Sequence, residues 1–188
     1  MEIGDAAAVA LARTGDSGGF RLLVERHGRK VFRLAFRLTG NEQDAEDVVQ
    51  ETFLRAFRGL DRFDERALVG SWLYRIASNY ALDLLRNKKM RARATVSAET
   101  GAGRPLEEAV ASPQPGPERQ LEGERLNRRI AEALTQLTPQ ERVAFTLRHF
   151  EGRSIEEISG ILQVGGNATK QAVFRAVQKM RRALGEEL

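Results

Sequence analysis

Between residues 94 and 119 the chain carries Gly101, Gly103, Pro105, Pro113, Pro115, Gly116 and Pro117. The few apolar residues there follow neither a helical nor a strand period, and each proline removes a backbone donor that either ladder would need. Such a segment reads as a flexible linker. It divides the chain of 188 residues into a unit over 1–93 and a second over 120–188, with no repeat between them. As coil, about 26 residues have a typical end separation of about 25–30 Å and a reach near 90 Å. The two units are therefore expected to be able to sit well apart on one long target.

Both units carry helical signals. Asp5 is expected to cap Ala6–Arg13, with Gly15 ending that turn. Asp16 caps a helix whose apolar positions include Phe20, Leu23, Val24, Val31, Leu34, Ala35 and Leu38, and Gly40 stops it. The next helix has Ala45, Val48, Val49, Phe53, Ala56 and Phe57 at three-four spacing. A polar loop, Asp61 to Gly70, leads to a helix with Trp72, Leu73, Ile76, Ala77, Tyr80 and Leu84 on one stripe. In the second unit Leu121–Leu137 reads as one helix. Thr138, Pro139 and Glu141 then form a capping box with proline at the first helical position, and Ser154 with Glu157 repeats the box. No segment alternates with period two for long. The fold class is all-α: two small helical domains on a flexible tether.

Composition narrows the function. Hydrophobic residues make up 41% and charged residues 30%, enough for a core and for solubility. Zero Cys excludes disulfides, thiolate zinc sites and thiol nucleophiles, and two isolated His (His27, His149) argue against a metal site. The longest wholly apolar run, Ala6 to Ala12, is seven residues, too short to cross a bilayer. Acidic Glu2 and Asp5 precede it where a secretory signal would be basic. A soluble, cytoplasmic chain without membrane insertion is expected.

The net charge of +4 says less than its distribution. Residues 42–51 hold five acids and no base, whereas 86–93 and 169–184 each hold five bases and no acid. Two separated basic blocks fit two contacts with a polyanion, and the acidic block fits a surface for a protein.

Two short motifs carry nothing. Gly15-Asp16-Ser17-Gly18-Gly19 matches the string around a chymotrypsin-like nucleophile, but no His precedes it and the chain is helical. Asn167-Ala168-Thr169 is a glycosylation sequon without a secretory route. The helix-turn-helix signal is stronger. Ser154–Leu162 forms a short amphipathic helix, Gln163–Gly166 a tight turn, and Asn167–Leu184 a second helix able to enter a major groove. Ala172, Val173, Ala176, Val177 and Met180 would face inward, leaving Lys170, Gln171, Phe174, Arg175 and Gln178 on the opposite arc. Arg and Lys suit guanine, Gln suits adenine or a phosphate, and Phe can meet a thymine methyl. In the first unit Asp47, Gln50, Glu51 and Leu54 line an exposed acidic face. The helix from Trp72 mixes aromatics (Trp72, Tyr74, Tyr80), Asn79 and the bases Arg75, Arg86, Lys88 and Lys89, a mixture suited to unpaired DNA; Trp72 also fits a core position.

The ordered motifs resemble a known family. Gly-Asp-x-x-x-Phe at 15–20, Leu-Thr-Gly-Asn-Glu-Gln-Asp-Ala-Glu-Asp-Val-Val-Gln-Glu-Thr-Phe at 38–53 and Ser-Trp-Leu-Tyr-Arg-Ile-Ala-Ser-Asn at 71–79 resemble region 2 of bacterial sigma factors. Leu137-Thr-Pro-Gln-Glu-Arg142 through Lys170-x-x-x-Phe-Arg175 resembles region 4, and the whole is similar to the extracytoplasmic-function group. The resemblance implies a non-enzymatic initiation factor, without cofactor or metal, that binds core RNA polymerase and helps open promoter DNA. By that analogy Asp47, Gln50, Glu51 and Leu54 dock on the clamp helices of the largest polymerase subunit. The 61–70 loop with Asp64, together with Trp72, Arg75, Asn79, Arg86, Lys88 and Lys89, holds the melted −10 strand, a flipped base being read in the loop's pocket. Lys170, Gln171, Phe174 and Arg175 read the −35 element, the second unit lies at the polymerase flap, and an anti-sigma protein is an expected partner. The recognition helix departs from the family's usual Gly-Thr-Val-Lys-Ser-Arg by reading Asn167-Ala168-Thr169-Lys170-Gln171-Ala172, and Val177 stands where many members carry Arg.

Two other classes fit less of the chain. A conventional helix-turn-helix regulator accounts for Leu137–Leu184 but leaves the acidic and Trp72 helices unexplained. A small hydrolase has no clustered His, Cys or paired carboxylates to act with.

Overall fold

A computed structural model describes residues 3–94 and 117–185. They form helices α1 (Asp5–Arg13), α2 (Ser17–Thr39), α3 (Glu42–Gly59), α4 (Val69–Ala94), α5 (Pro117–Thr135), α6 (Pro139–His149), α7 (Ile155–Leu162) and α8 (Gly166–Leu184). A single 3-10 turn, Leu60–Arg62, precedes the loop into α4, and there is no strand among the described residues. The inferred linker lies for the most part outside the described residues. Its two ends are shorter than the sequence reading has them, because α4 runs on through Ala94 and α5 already begins at Pro117.

Local chemistry accounts for most helix ends. Asp16 accepts from the Gly18 amide, and Gly40 ends α2 in the left-handed region at φ 69°. The Asn41 side chain accepts from the Asp44 amide to start α3. Both capping boxes form, on Thr138 with Glu141 and on Ser154 with Glu157. One cap differs from expectation. Asp5 is not the cap of α1 but its first residue, after Gly4. Its carboxylate crosses to α2, where it meets Arg26 Nη1 at 3.1 Å and His27 Nε2 at 2.8 Å. An acid in the first turn keeps the favourable helix dipole while remaining free to pair with another helix.

Helix α1 lies directly on α2 at Gly19. A Cβ there would stand 2.5 Å from the Ala8 carbonyl oxygen and 2.6 Å from the Ala12 nitrogen, so only glycine permits this approach. Helices α2, α3 and α4 bury Leu23, Val31, Leu34, Leu38, Val48, Phe53, Leu73 and Ala77 between them. Two residues assigned to that core by period lie outside it: Val24 is 36% exposed and Phe57 59% exposed. Each sits at the margin of its apolar stripe. In the second unit α5, α6 and α8 enclose Ala133, Leu134, Leu137, Ala176, Met180 and Leu184.

The two units do not stand apart in this form of the chain. The core of α2–α4 continues into Val143, Ala144, Leu147, Ile158, Ile161 and Leu162 of α6 and α7. A polar seam borders that apolar contact. Buried Arg142 donates from Nη1 to the Leu38 carbonyl at 2.7 Å, placing a cation at the C-terminal end of α2. Desolvation lowers the Arg142 pKa, and its Nε has no hydrogen-bond partner among the described residues. Tyr74 donates its hydroxyl to Glu151 Oε2 at 2.5 Å, and Arg37 Nη1 stands 3.5 Å from the other carboxylate oxygen. The Arg37 guanidinium lies 4.3 Å over the Phe150 ring, and that of Arg153 lies 5.2 Å over Tyr74. A tether of the inferred length permits this packing as well as separation.

Candidate nucleic-acid and polymerase interfaces

Helix α3 packs antiparallel to α4, as Gly59 beside Trp72, Arg55 beside Tyr80 and Asp44 beside Lys88 show. Its outer face carries exposed Asp47 and Gln50, and Leu54 is 41% exposed. Glu51 is half-buried and accepts from Arg55 Nε at 2.6 Å, one turn on. Exposed Phe57 continues the row beyond Leu54 and meets Phe20 edge to face at 5.1 Å. The face is thus acidic at one end and apolar at the other. Phe57 is the residue that the apolar period conceals, because the same spacing fits a buried and an exposed stripe margin. Asp44, counted with the acidic block, is instead buried and paired with Lys88.

The loop into α4 is built as a tight turn. Asp64 Oδ1 accepts from the Arg66 amide at 3.0 Å, and the Ala67 amide donates to the Asp64 carbonyl at 2.9 Å. Phe63 is buried, with its ring 4.6 Å from Trp72, while Asp64 to Leu68 are exposed. Trp72 is half-buried, sharing its ring between Phe63 and the surface. Along α4, Arg75, Arg86 and Lys89 are exposed and Asn79 is half-buried. Arg86 stands 3.4 Å from Asp83. Lys88 is turned back to Asp44, so its charge is already engaged within the protein. Tyr74, grouped with the stacking aromatics by sequence, belongs to the seam between the units. Arg13, unmarked in the sequence because nothing local hints at its partners, reaches this loop from α1.

Helix α8 separates its two arcs as the spacing predicts. Ala172, Ala176 and Met180 are buried, and Val173 and Val177 are half-buried. Lys170, Gln171, Arg175 and Gln178 are exposed, and Phe174 is 62% exposed, a large apolar ring held in water. Thr169 fastens the start of the helix, receiving the Ser159 hydroxyl at 2.9 Å. Gln163 bends the chain between α7 and α8 in the left-handed region at φ 55°. Buried Glu141 lies behind the exposed arc, with Lys179 Nζ at 2.6 Å and Arg175 Nε at 3.5 Å. Burial pushes the Glu141 carboxyl up, but hydrogen bonds from Lys179 and Thr138 outweigh it and hold the pKa below the usual range. Arg175 is thereby steered without being neutralised outright, since Lys179 takes the shorter contact.

Comparison with known proteins places these surfaces in a family. The Sigma-70 region 2 pattern matches residues 23–91, and the Sigma-70, region 4 pattern matches residues 127–180. The RNA polymerase sigma-H factor of Pseudomonas aeruginosa is 32% identical over 96% of this chain and 93% of its own length. The chain belongs to the extracytoplasmic-function group of sigma-70 factors. The ECF RNA polymerase sigma factor SigE of Mycolicibacterium smegmatis is 37% identical over 85% of this sigma factor, which spans 59% of that relative's length. The Bacillus subtilis relative SigW is 27% identical over 98% of both chains. Among solved structures, CnrH in complex with the cytosolic domain of CnrY aligns at a TM-score of 0.69 with 27% identity, covering 98% of this chain and 99% of that one. RpoE of Bartonella quintana, solved with the anti-sigma factor NepR, shares the fold at a TM-score of 0.68, 22% identity and 88% and 96% coverage.

Helix α1 lies outside the region 2 match. Ala172 and Val177 of α8, which stand where the family commonly carries a basic residue, are buried and half-buried respectively in this sigma factor. They pack against the body of the unit, so the exposed arc keeps its own cations.

Proposed function

We propose that the chain initiates transcription by binding core RNA polymerase and directing it to a promoter class, without catalytic activity of its own. The α3 face from Asp47 through Gln50, Glu51 and Leu54 docks on the polymerase, and Phe57 extends that face. The 61–70 loop and α4, through Asp64, Trp72, Arg75, Asn79, Arg86 and Lys89, hold the melted −10 strand; Lys88 joins them only after leaving Asp44. Lys170, Gln171, Phe174 and Arg175 read the −35 groove. The units over 1–93 and 120–188 act as separate bodies on the promoter, and the protein works in the cytoplasm. An anti-sigma protein, the kind of partner held by RpoE in its solved complex with NepR, is its regulator.

The observation that carries this reading is the exposed arc of α8, where Phe174 stands 62% exposed among Lys170, Gln171 and Arg175. An apolar ring kept in water beside amide and cationic side chains suits a base-edge contact rather than a solvated face. The test is fluorescence anisotropy of a labelled promoter duplex, with the chain alone and with purified core polymerase. Specific binding only with core supports the proposal. Tight sequence-specific binding by the chain alone at physiological salt contradicts it and favours an ordinary helix-turn-helix regulator.

A further inference from the structure

Arg13 is the last residue of α1, and its side chain is spent on one segment. Its Nε donates to the Leu60 carbonyl at 3.1 Å, and its Nη2 donates to the Phe63 carbonyl at 2.6 Å and to that of Asp61 at 3.5 Å. Its Nη1 pairs with the Glu65 carboxylate. A planar guanidinium offers five donors in a fixed fork, and here that fork spans the entrance of the loop from 60 to 65. Lysine, a point charge with no fork, cannot serve three carbonyls in this geometry.

The origin of the guanidinium is fixed too. Gly19 lets α1 approach α2 to backbone contact, Ala8 and Val9 are wholly buried, and Asp5 ties the start of α1 to Arg26 and His27. The far wall of the loop is Phe63 against Trp72. Beyond these anchors the tip, Asp64 to Leu68, faces solvent, as do Asp61 and Arg62 at the loop's entrance.

We propose that Arg13 is a positioning residue for −10 reading, holding the backbone of 60–65 so that the exposed tip has one shape before DNA arrives. This rests on the reading that the loop holds the melted −10 strand. A loop ordered in advance spends none of its binding free energy on ordering, and a pocket of one shape rejects the wrong base where a pliant one adapts to it. Arg13 touches no nucleotide. Its loss therefore acts on discrimination at −10 and leaves the α3 and α8 surfaces unaltered.

The experiment is run-off transcription by holoenzyme reconstituted from the full chain and purified core polymerase, over promoter libraries randomised separately at −10 and −35. Amide hydrogen exchange is measured on the same proteins. The chains are the natural one, Arg13→Ala, Arg13→Lys and, as a control, Arg21→Ala, whose side chain is 77% exposed. Selective transcription by the natural chain upholds the underlying reading, and its absence defeats that reading rather than the clamp. For Arg13→Ala the preference for the best −10 base, about ten- to a hundredfold at a read position, collapses towards unity. Exchange at 61–68 accelerates at least about tenfold, while the −35 profile, core affinity and exchange in α8 stay as in the natural chain. Should Arg13→Ala fail to fold, Arg13→Lys carries the test, since it keeps the charge and loses the fork. An unchanged −10 profile in either folded variant overturns the proposal. So does a uniform decline of both profiles with faster exchange everywhere, which is the signature of a purely structural residue.

Discussion

Replacing Glu151 by Ala should loosen the packing of the two units by about 2–4 kcal/mol. The carboxylate accepts the Tyr74 hydroxyl at 2.5 Å and faces Arg37 at 3.5 Å, with its side chain only 11% exposed. A hydrogen bond to a charged group contributes about 1.5–3 kcal/mol, and a buried hydroxyl left without its acceptor costs about 1–3 kcal/mol more; the two overlap and do not add in full. Desolvation first, then the bond to Glu151, raises the Tyr74 pKa, so the phenol remains a protonated donor throughout the usable pH range. Against this stands the apolar contact of Leu147, Ile158 and Ile161 with the first unit, which the substitution leaves in place. The readout therefore has to be an equilibrium and not a yes-or-no opening. With no native cysteine, Arg58→Cys on α3 and Gln178→Cys on α8 accept a dye pair cleanly. Urea titration of energy transfer gives the free energy of separation, and far-UV circular dichroism in the same samples reports helicity. The substitution should lower the transfer midpoint while helicity persists. A change below about 0.5 kcal/mol, the scatter of an ordinary surface substitution, would refute the assignment of the seam as an energetic contact.

Three further outcomes are expected. Arg175→Ala should cost about 1–3 kcal/mol of holoenzyme binding on promoters with the preferred −35 sequence; an equal loss on every sequence makes Arg175 a phosphate contact. Gln163→Gly should stabilise the second unit by up to about 1 kcal/mol, because a side chain at φ 55° is strained and glycine is not; chemical denaturation measures it, and destabilisation contradicts the argument. Glu141 is held below its ordinary pKa of 4.5, so its contribution is present above pH 4.5 and is lost as pH falls through the lower folded value. Glu141→Gln should therefore lower Tm at neutral pH and flatten the fall of Tm below pH 4.5; a parallel curve displaced by the same amount at every pH would contradict the linkage.

What the sequence revealed was short in range. Both capping boxes, the Asp16 cap and the two arcs of α8 follow from residues two to four apart, and each forms as the spacing requires. The misses concern what a helix meets. Asp5 pairs with α2 instead of capping α1, Lys88 closes on Asp44, and Phe57 lies in water at a stripe margin. The continuous core across α2, α4, α6 and α7 was hidden for the same reason. Periodicity shows that Leu147 and Ile158 are inward, but it does not say toward which neighbour. Arg13 illustrates the limit most clearly, since its acceptors are carbonyls about fifty positions away, which no side-chain pattern records.

The proposed role requires this chain to convert core polymerase into a promoter-selective enzyme. Run-off transcription with purified core polymerase on a random promoter library tests it directly. Defined transcripts should appear only when the chain is added, and they should share a −35 and a −10 element at fixed spacing. A folded chain that yields no transcripts beyond those of core alone, on any template, would contradict it.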